Sequence, residues 1–207
     1  MRKTLLTIAF CSLALPALAQ PHLTGYIGGG FSEPVKDLGT RLDMGWNAAG
    51  GIGVRGAHLG VLLDASFNRF DINQASLNRV GTAGGNTRIW GFTLDPIIHL
   101  APQDGPMDVY VTGGGGVYHR TVDFTQPGVT TITAFDPWFG VFFPANVASN
   151  FVVGSYSVTK PGVDFGAGFA FRIGSSRAKF FGEARYHHMF TTNINTTYVP
   201  VTFGIRW

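Results

Sequence analysis

The last ten residues, Tyr198–Trp207, alternate without a break. Val199, Val201, Phe203, Ile205 and Trp207 fall on one side of an extended chain, and Pro200, Thr202, Gly204 and Arg206 on the other, because strand side chains point to opposite faces with period two. The same division recurs upstream. Val163, Phe165, Ala167, Phe169, Phe171 and Ile173 oppose Asp164, Gly166, Gly168, Ala170 and Arg172. Trp90, Phe92, Leu94, Ile98 and Leu100 oppose Gly91, Thr93, Asp95 and His99, and Phe180, Ala184, Tyr186 and Phe190 oppose Lys179, Glu183, Arg185 and His187. Eight strands are predicted, near Leu23–Phe31, Gly45–Arg55, Leu59–Phe70, Arg88–Leu100, Asp108–Val122, Val158–Ile173, Ala178–Phe190 and Tyr198–Trp207. Glycines at Gly28–Gly30 and Gly113–Gly116 blur the first and fifth. Pro96 lacks a ladder donor, so a bulge is expected in the fourth.

The predicted connections, 32–44, 56–58, 71–87, 101–107, 123–157, 174–177 and 191–197, alternate between long and short. Bacterial transmembrane barrels have this rhythm, with short periplasmic turns and longer outer loops. Eight antiparallel strands then place both termini in the periplasm. A soluble ligand-binding barrel would show the same alternation with its faces reversed. The branched and aromatic bulk of one face, the glycine and charge of the other, and a terminal tryptophan favour lipid on the outside. The expected fold is therefore all-β, an eight-stranded antiparallel up-and-down transmembrane barrel.

Composition agrees. Charged residues are only 13% of the chain, about half the roughly 25% of soluble proteins, yet after the first residues no apolar run reaches the roughly 20 residues of a membrane helix. A closed barrel is the other way to satisfy every backbone donor and acceptor in hydrocarbon. At the start, Arg2 and Lys3 precede the apolar stretch Leu5 to Leu15, Pro16 breaks it, and Ala17-Leu18-Ala19 offers small residues for cleavage. Residues 1–19 are read as a secretory signal peptide, leaving a barrel domain over 20–207 that starts at Gln20. Phe10 stands before Cys11 where lipoprotein processing wants a small residue. Cleavage would remove Arg2 and Lys3 from the 15 basic residues and none of the 12 acidic ones. The balance falls close to neutral, and the basic pI argues for no nucleic-acid partner. The only cysteine would leave too, and with it disulfides and thiolate metal sites.

Three segments carry a resemblance: Phe135-Asp136-Pro137-Trp138-Phe139-Gly140, Glu183-Ala184-Arg185-Tyr186-His187-His188-Met189-Phe190 and Tyr198-Val199-Pro200-Val201-Thr202-Phe203-Gly204-Ile205-Arg206-Trp207. The chain resembles small outer-membrane β-barrel proteins of Gram-negative bacteria, with OmpA-like and OmpX-like barrels as broad relatives. The likeness implies insertion in the outer membrane, with lipid and the barrel-assembly machinery as partners, and Phe203 and Trp207 as the assembly signal. It implies no activity, because this fold carries adhesins, anchors, enzymes and narrow channels.

Inward charges are the first candidate site. Asp64, Asp95 and Glu183 each stand about five residues above a periplasmic strand end, Arg55, Arg172 and Arg206 lie near the bottom, and Arg185 is one inward position above Glu183. Such a stack would neutralise itself in a dry lumen, where an unpaired charge costs several kcal/mol. The alternative is a selective pore or proton path, although eight strands enclose only enough width for side chains. Segment 123–157 is unusually apolar for an outer loop, with Phe135, Trp138, Phe139, Phe142 and Phe143 in its middle. Two readings stand: extensions of the fifth and sixth strands plus a compact cap over the barrel mouth, or an adhesive or lipid-contacting surface for an extracellular ligand.

Other chemistry finds little purchase. His187 and His188 are adjacent and so face opposite ways on a strand, and His22, His58, His99 and His119 show no ligand spacing. Outer-membrane lipid hydrolases carry a serine two residues after the histidine, but here Met189 and Phe190 occupy those positions. Ser66 shares a face with Asp64 without a histidine nearby in sequence. Gly113–Gly116 is not followed by the Lys-Ser/Thr of a phosphate loop, and its glycines are expected to make room for neighbouring aromatic rings. No cofactor or metal is expected. The chain reads as a non-enzymatic barrel with a plugged lumen and a structural or surface-contact role, with a narrow channel for small or apolar solutes as the alternative and a lipid-modifying hydrolase third.

Overall fold

The computed structural model describes residues 22–100, 105–174, 176–192 and 195–207, so the expected signal peptide at 1–19 and the start at Gln20 lie outside the described residues. Its elements are β1 (His22–Pro34), β2 (Gly45–Arg55), β3 (Leu59–Asp71), a short helix α1 (Gln74–Val80), β4 (Gly84–His99), β5 (Met107–Asp136), β6 (Val141–Arg172), β7 (Lys179–Met189) and β8 (Thr196–Arg206). All neighbours are antiparallel and the eight strands form a closed ring. β1 meets β8 with Ile27 opposite Ile205 and Gly30 opposite Thr202. The seam is finished by a reciprocal pair: Gly25 N–H donates to the Trp207 carbonyl at 3.1 Å, and Trp207 N–H donates to the Gly25 carbonyl at 3.0 Å. Closure leaves no unpaired strand edge in the ring, which a spanning sheet requires.

The faces divide as the alternation predicts. On β4, Trp90, Phe92, Leu94 and Ile98 are exposed while Gly91, Thr93, Asp95 and His99 are buried. On β6, Phe165 is 59% exposed and the adjacent Asp164 only 3%. A continuous apolar exterior over a charged interior is inverted relative to a soluble protein, and hydrocarbon is the solvent that stabilises it. Its upper limit is visible. Trp46, Phe67 and Trp90 form a row of rings 5.2 and 4.7 Å apart on the outer surface. In the same cross-strand register Trp46 lies opposite Arg69, Arg69 opposite Arg88 and Arg88 opposite Thr121. An aromatic girdle with charge beside it marks the interface with water.

The expected extension of the fifth and sixth strands is present, but the expected cap and the bulge at Pro96 are not. Segment 123–157 is almost entirely strand: β5 and β6 continue as a two-stranded ribbon until Asp136 pairs with Val141, with one register shift at Phe124/Thr125. The turn at 137–140 does not fold back as a cap, and Trp138 is 91% exposed. The reason is local chemistry. The Asp136 carboxylate accepts from Trp138 N–H at 2.8 Å and Phe139 N–H at 3.3 Å, and Gly140 takes φ 66°, so a tight turn closes a long hairpin. Pro96 needs no bulge. It faces outward, β3–β4 pairing keeps one register through Val61–Pro96, and the β4–β5 ladder skips Asp95 and Pro96 before resuming in step. The Thr112 hydroxyl donates to the Pro96 carbonyl at 3.1 Å.

The mouth is instead covered by the other long connections. In the third, Asn73 caps α1 by accepting from Ser76 N–H at 2.9 Å, and Gly81, at φ 73°, ends it with its N–H on the Leu77 carbonyl at 2.9 Å. Leu77 thereby turns inward and joins Leu38, Leu42, Phe70, Ile72 and Ile89 in an apolar layer at the top of the lumen. A second apolar layer, Tyr26, Leu62, Ile97, Tyr110 and Phe181, lies towards the bottom.

Candidate functional site

The lumen between these layers is organised by one side chain. Arg185 on β7 is 6% exposed. Its Nη1 lies 2.9 Å from Asp64 on β3, 2.6 Å from Asp95 on β4 and 3.7 Å from Asp164 on β6, and its Nε pairs with Glu183. In a ring of eight, β3 stands diametrically opposite β7, so one guanidinium ties opposite walls together across the lumen. The fork of planar donors suits several carboxylates at once, as a lysine would not. Glycine permits the approach: a Cβ at Gly166, its cross-strand neighbour, would collide with the Arg185 Cγ at 2.7 Å.

Among the charges anticipated from the sequence, Asp64, Asp95, Glu183 and Arg185 meet here. Arg206 approaches from below, 3.6 Å from Glu183, and is held chiefly by ring faces, with its guanidinium 4.2 Å from the Tyr110 centroid and 5.3 Å from Phe181. Arg55 and Arg172 are placed elsewhere, half-buried and exposed respectively, at the lower ends of β2 and β6. Asp164 is the member that the charge stack left out, although alternation had put it on the inward face. A second buried pair, His99 Nδ1 to Asp108 at 2.8 Å, sits near the lower rim. Antiparallel register could have found it, because His99 faces Tyr110, one inward step from Asp108.

Above the arginine, His187 is buried, its Nδ1 is 2.9 Å from the Tyr118 hydroxyl, and its ring stacks on Tyr198 with centroids 5.0 Å apart. Tyr118 also donates to Asp164 at 3.2 Å. Ser66 lines the same small cavity as Asp64 and His187, but the cavity measures about 20 Å³, space for about one water. No acyl substrate fits there. The inward glycines of β6 serve the rings: a Cβ at Gly162 would come within 2.7 Å of Tyr118, and one at Gly168 within 2.5 Å of Tyr110. Among the described residues no group of three or more His, Cys, Asp or Glu is arranged around a metal site. The acid cluster encloses an arginine instead.

Outside the lumen, Phe135, Trp138, Phe139, Phe142 and Phe143 gather at the far end of the β5–β6 ribbon, all exposed, with the Phe135 and Phe142 rings 5.1 Å apart across the strands. Phe203 and Trp207 lie on the lipid face of β8. Phe203 stacks near Phe180 at 6.4 Å, and Trp207 covers Gly25, where a Cβ would stand 2.9 Å from the indole.

Solved structures share this architecture. The chain aligns with Neisserial surface protein A at TM-score 0.59 and 11% identity, covering 90% of this chain and 97% of that one. It aligns with a major outer membrane protein from Thermus thermophilus at TM-score 0.55 and 12% identity, covering 90% and 98%. No curated sequence matches it. A family model described as the outer membrane protein beta-barrel domain matches residues 4–206. With lipid-facing bulk, a closed ring of eight strands and that match over nearly its whole length, the chain belongs to the outer membrane protein β-barrel family.

Proposed function

We propose that this outer-membrane barrel is non-enzymatic, that its lumen is a structural plug, and that the β5–β6 ribbon is its surface-contact element. The observation that carries the plug is Arg185 bound to carboxylates on β3, β4 and β6 as well as its own strand. An ion moving through would have to displace those bonds and the aromatic rings below them. The absence of substrate room beside Ser66 and His187 speaks against a hydrolase on that pair. The ribbon rises roughly 33 Å from Gln126 to Asp136, at about 3.3 Å per residue, and presents aromatic side chains where an anchor would present polar ones. Both termini face the periplasm after signal cleavage, since the ends of β1 and β8 share the side of the short 56–58 turn. Phe203 and Trp207 serve assembly at the β1–β8 seam.

Planar-bilayer recording on the purified barrel tests the plug. The expected trace shows no discrete conductance steps, and reproducible steps abolished by blocking the lumen would establish the channel reading instead. For the ribbon, the measurement is attachment of expressing cells to host or bacterial surfaces, with residues 129–148 replaced by an Asn-Gly turn. Attachment is expected to fall while surface display of the barrel stays constant, and equal attachment by both forms would refute the contact role.

A further inference from the structure

At the mouth, between α1, the 35–44 connection and the inner face of β5, lies a cavity of about 250 Å³. Leu38, Leu42, Ile72, Val122 and Phe124 give it apolar walls. Three arginines complete it: Arg41 and Arg79 from the loops and Arg120 from β5. Among the described residues no acidic side chain lines it, and none of the ion pairs there includes any of the three arginines. That contrasts with the lumen below, where Arg185 has four carboxylates beside it and Arg206 has one. Arg120 donates through Nη1 to the Thr196 hydroxyl at 2.5 Å, while its buried Nε has no hydrogen-bond partner among the described residues. A buried donor left unpaired costs about 1–3 kcal/mol, which an incoming anion would offset.

We infer that this cavity binds an anionic amphiphile, a single acyl chain ending in a carboxylate or phosphate. The chain lies against the apolar walls and the headgroup takes the three arginines. Apolar surface with a few convergent polar groups is the usual make-up of a small-molecule site, and the volume is just under the roughly 300–1,000 Å³ of such sites, which suits one chain. Its walls at Leu38, Leu42 and Ile72 belong to the same buried apolar layer as Phe70, Leu77 and Tyr118 at the top of the lumen. The cavity is a receptor for the ligand rather than the entrance to a pore. The chemistry is shared by a free fatty carboxylate and by a lipid of the surrounding membrane.

The test uses the full-length barrel in zwitterionic nanodiscs, titrated calorimetrically with decanoate, decyl phosphate, decanol and inorganic phosphate against empty discs. Decanoate and decyl phosphate should bind saturably at one site, with decanol and inorganic phosphate each at least tenfold weaker. Arg120→Gln should weaken decanoate at least tenfold. Because Arg120 touches β8, the loop double variant Arg41→Gln/Arg79→Gln provides a second check: decanoate should weaken about fivefold and decanol not at all. Val122→Trp should remove the saturable phase by filling the cavity, whereas Arg88→Gln, which alters an arginine on the outer surface, should leave it unchanged. Equal affinity for decanoate and decanol, undiminished binding in both arginine variants, or persistence in Val122→Trp would each overturn the site. Native mass spectrometry of barrel extracted from its membrane then assigns the source. A lipid adduct displaced by decanoate identifies a membrane lipid, and saturable decanoate binding without an adduct identifies a free acid.

Discussion

β5 and β6 each belong to two different molecules, in effect. From Met107 to Thr125, and from Gly162 to Arg172, they pair with β4 and β7 as part of a closed ring with lipid on one face and a packed lumen on the other. From Gln126 to Asp136 and back from Val141 to Phe151 the same two strands pair only with each other, beyond the last β4 partner at Thr125, and both faces are exposed. The hydrogen-bond ladder is continuous through both halves apart from one shift at Phe124/Thr125, so backbone pairing does not distinguish them. What differs is the number of environments. Below, Phe165 and Asp164 are adjacent and cannot exchange places. Above, exposure alternates weakly or not at all along the ribbon. A two-stranded ribbon on its own is marginal in water, so the upper half is held up by the ring from which it grows and by the tight Asp136–Gly140 turn.

If the lower half is governed by its two environments, its most sensitive point is the charge inside. Arg185→Leu should destabilise the folded barrel by about 3–5 kcal/mol, as breaking a buried ion cluster does by leaving its carboxylates uncompensated. Guanidinium unfolding in lipid vesicles measures it, and a midpoint equal to wild type would mean that the lumen is wetter than the packing implies. Glu183→Arg should move the midpoint in the same direction, by placing a second cation beside Arg185 and Arg206.

The outer face gives the next effect. Phe165→Arg puts a charge near the middle of the lipid-facing band, between the polar pair His119–Thr159 above, 2.8 Å apart on the outside, and the strand end at Arg172 below. The expected loss is about 2–4 kcal/mol at the bilayer midplane. A loss near zero in the same unfolding assay would move the membrane boundary and with it the division between the two halves. A smaller effect sharpens the picture of the lumen's packing: Gly168→Val would crowd the Tyr110 ring, and overpacking of this kind costs about 1–3 kcal/mol. Double substitution with Tyr110→Leu should recover part of it, and no recovery would show that the backbone, rather than the ring, is what Gly168 accommodates.

The same contrast explains what could be read from the chain. Strand number, facing and the inward set Asp64, Asp95, Glu183 and Arg185 were legible wherever two solvents impose period two. The ribbon was legible only in part: extension of the fifth and sixth strands was one of two readings, but the cap joined to it is absent, because Phe135 to Phe143 place apolar residues on both faces and alternation there does not say where they lie. Asp164 was legible as an inward residue but not as a partner of Arg185, since strand stagger, which sets heights in the lumen, leaves no mark in any single strand. α1 was hidden within the 71–87 connection; its Asn73 cap and Gly81 terminus are recognisable signals, but a seven-residue helix with only Leu77 buried shows almost no period. Tyr118, beside His187, and Tyr110, beside Arg206, are accommodated by Gly162 and Gly168 of β6, and a glycine in sequence does not say which ring it makes room for.

The smallest stability effect belongs to the tip, and it makes the most direct comparison with Phe165. Phe142 and Phe165 are both exposed phenylalanines on β6, at 72% and 59%, and by exposure alone they are alike. If the ribbon stands in water, Phe142→Arg should change stability by no more than about 0.5 kcal/mol, as surface substitutions usually do, because the arginine remains hydrated in both states. Attachment to a target surface should nevertheless drop, since the Phe135–Phe142 ring pair is part of the aromatic end that would make contact. A large stability loss for Phe142→Arg in lipid vesicles, matching Phe165→Arg, would mean that the tip is buried in a bilayer when the barrel is inserted. The two halves would then differ in which membrane they meet rather than in whether they meet one.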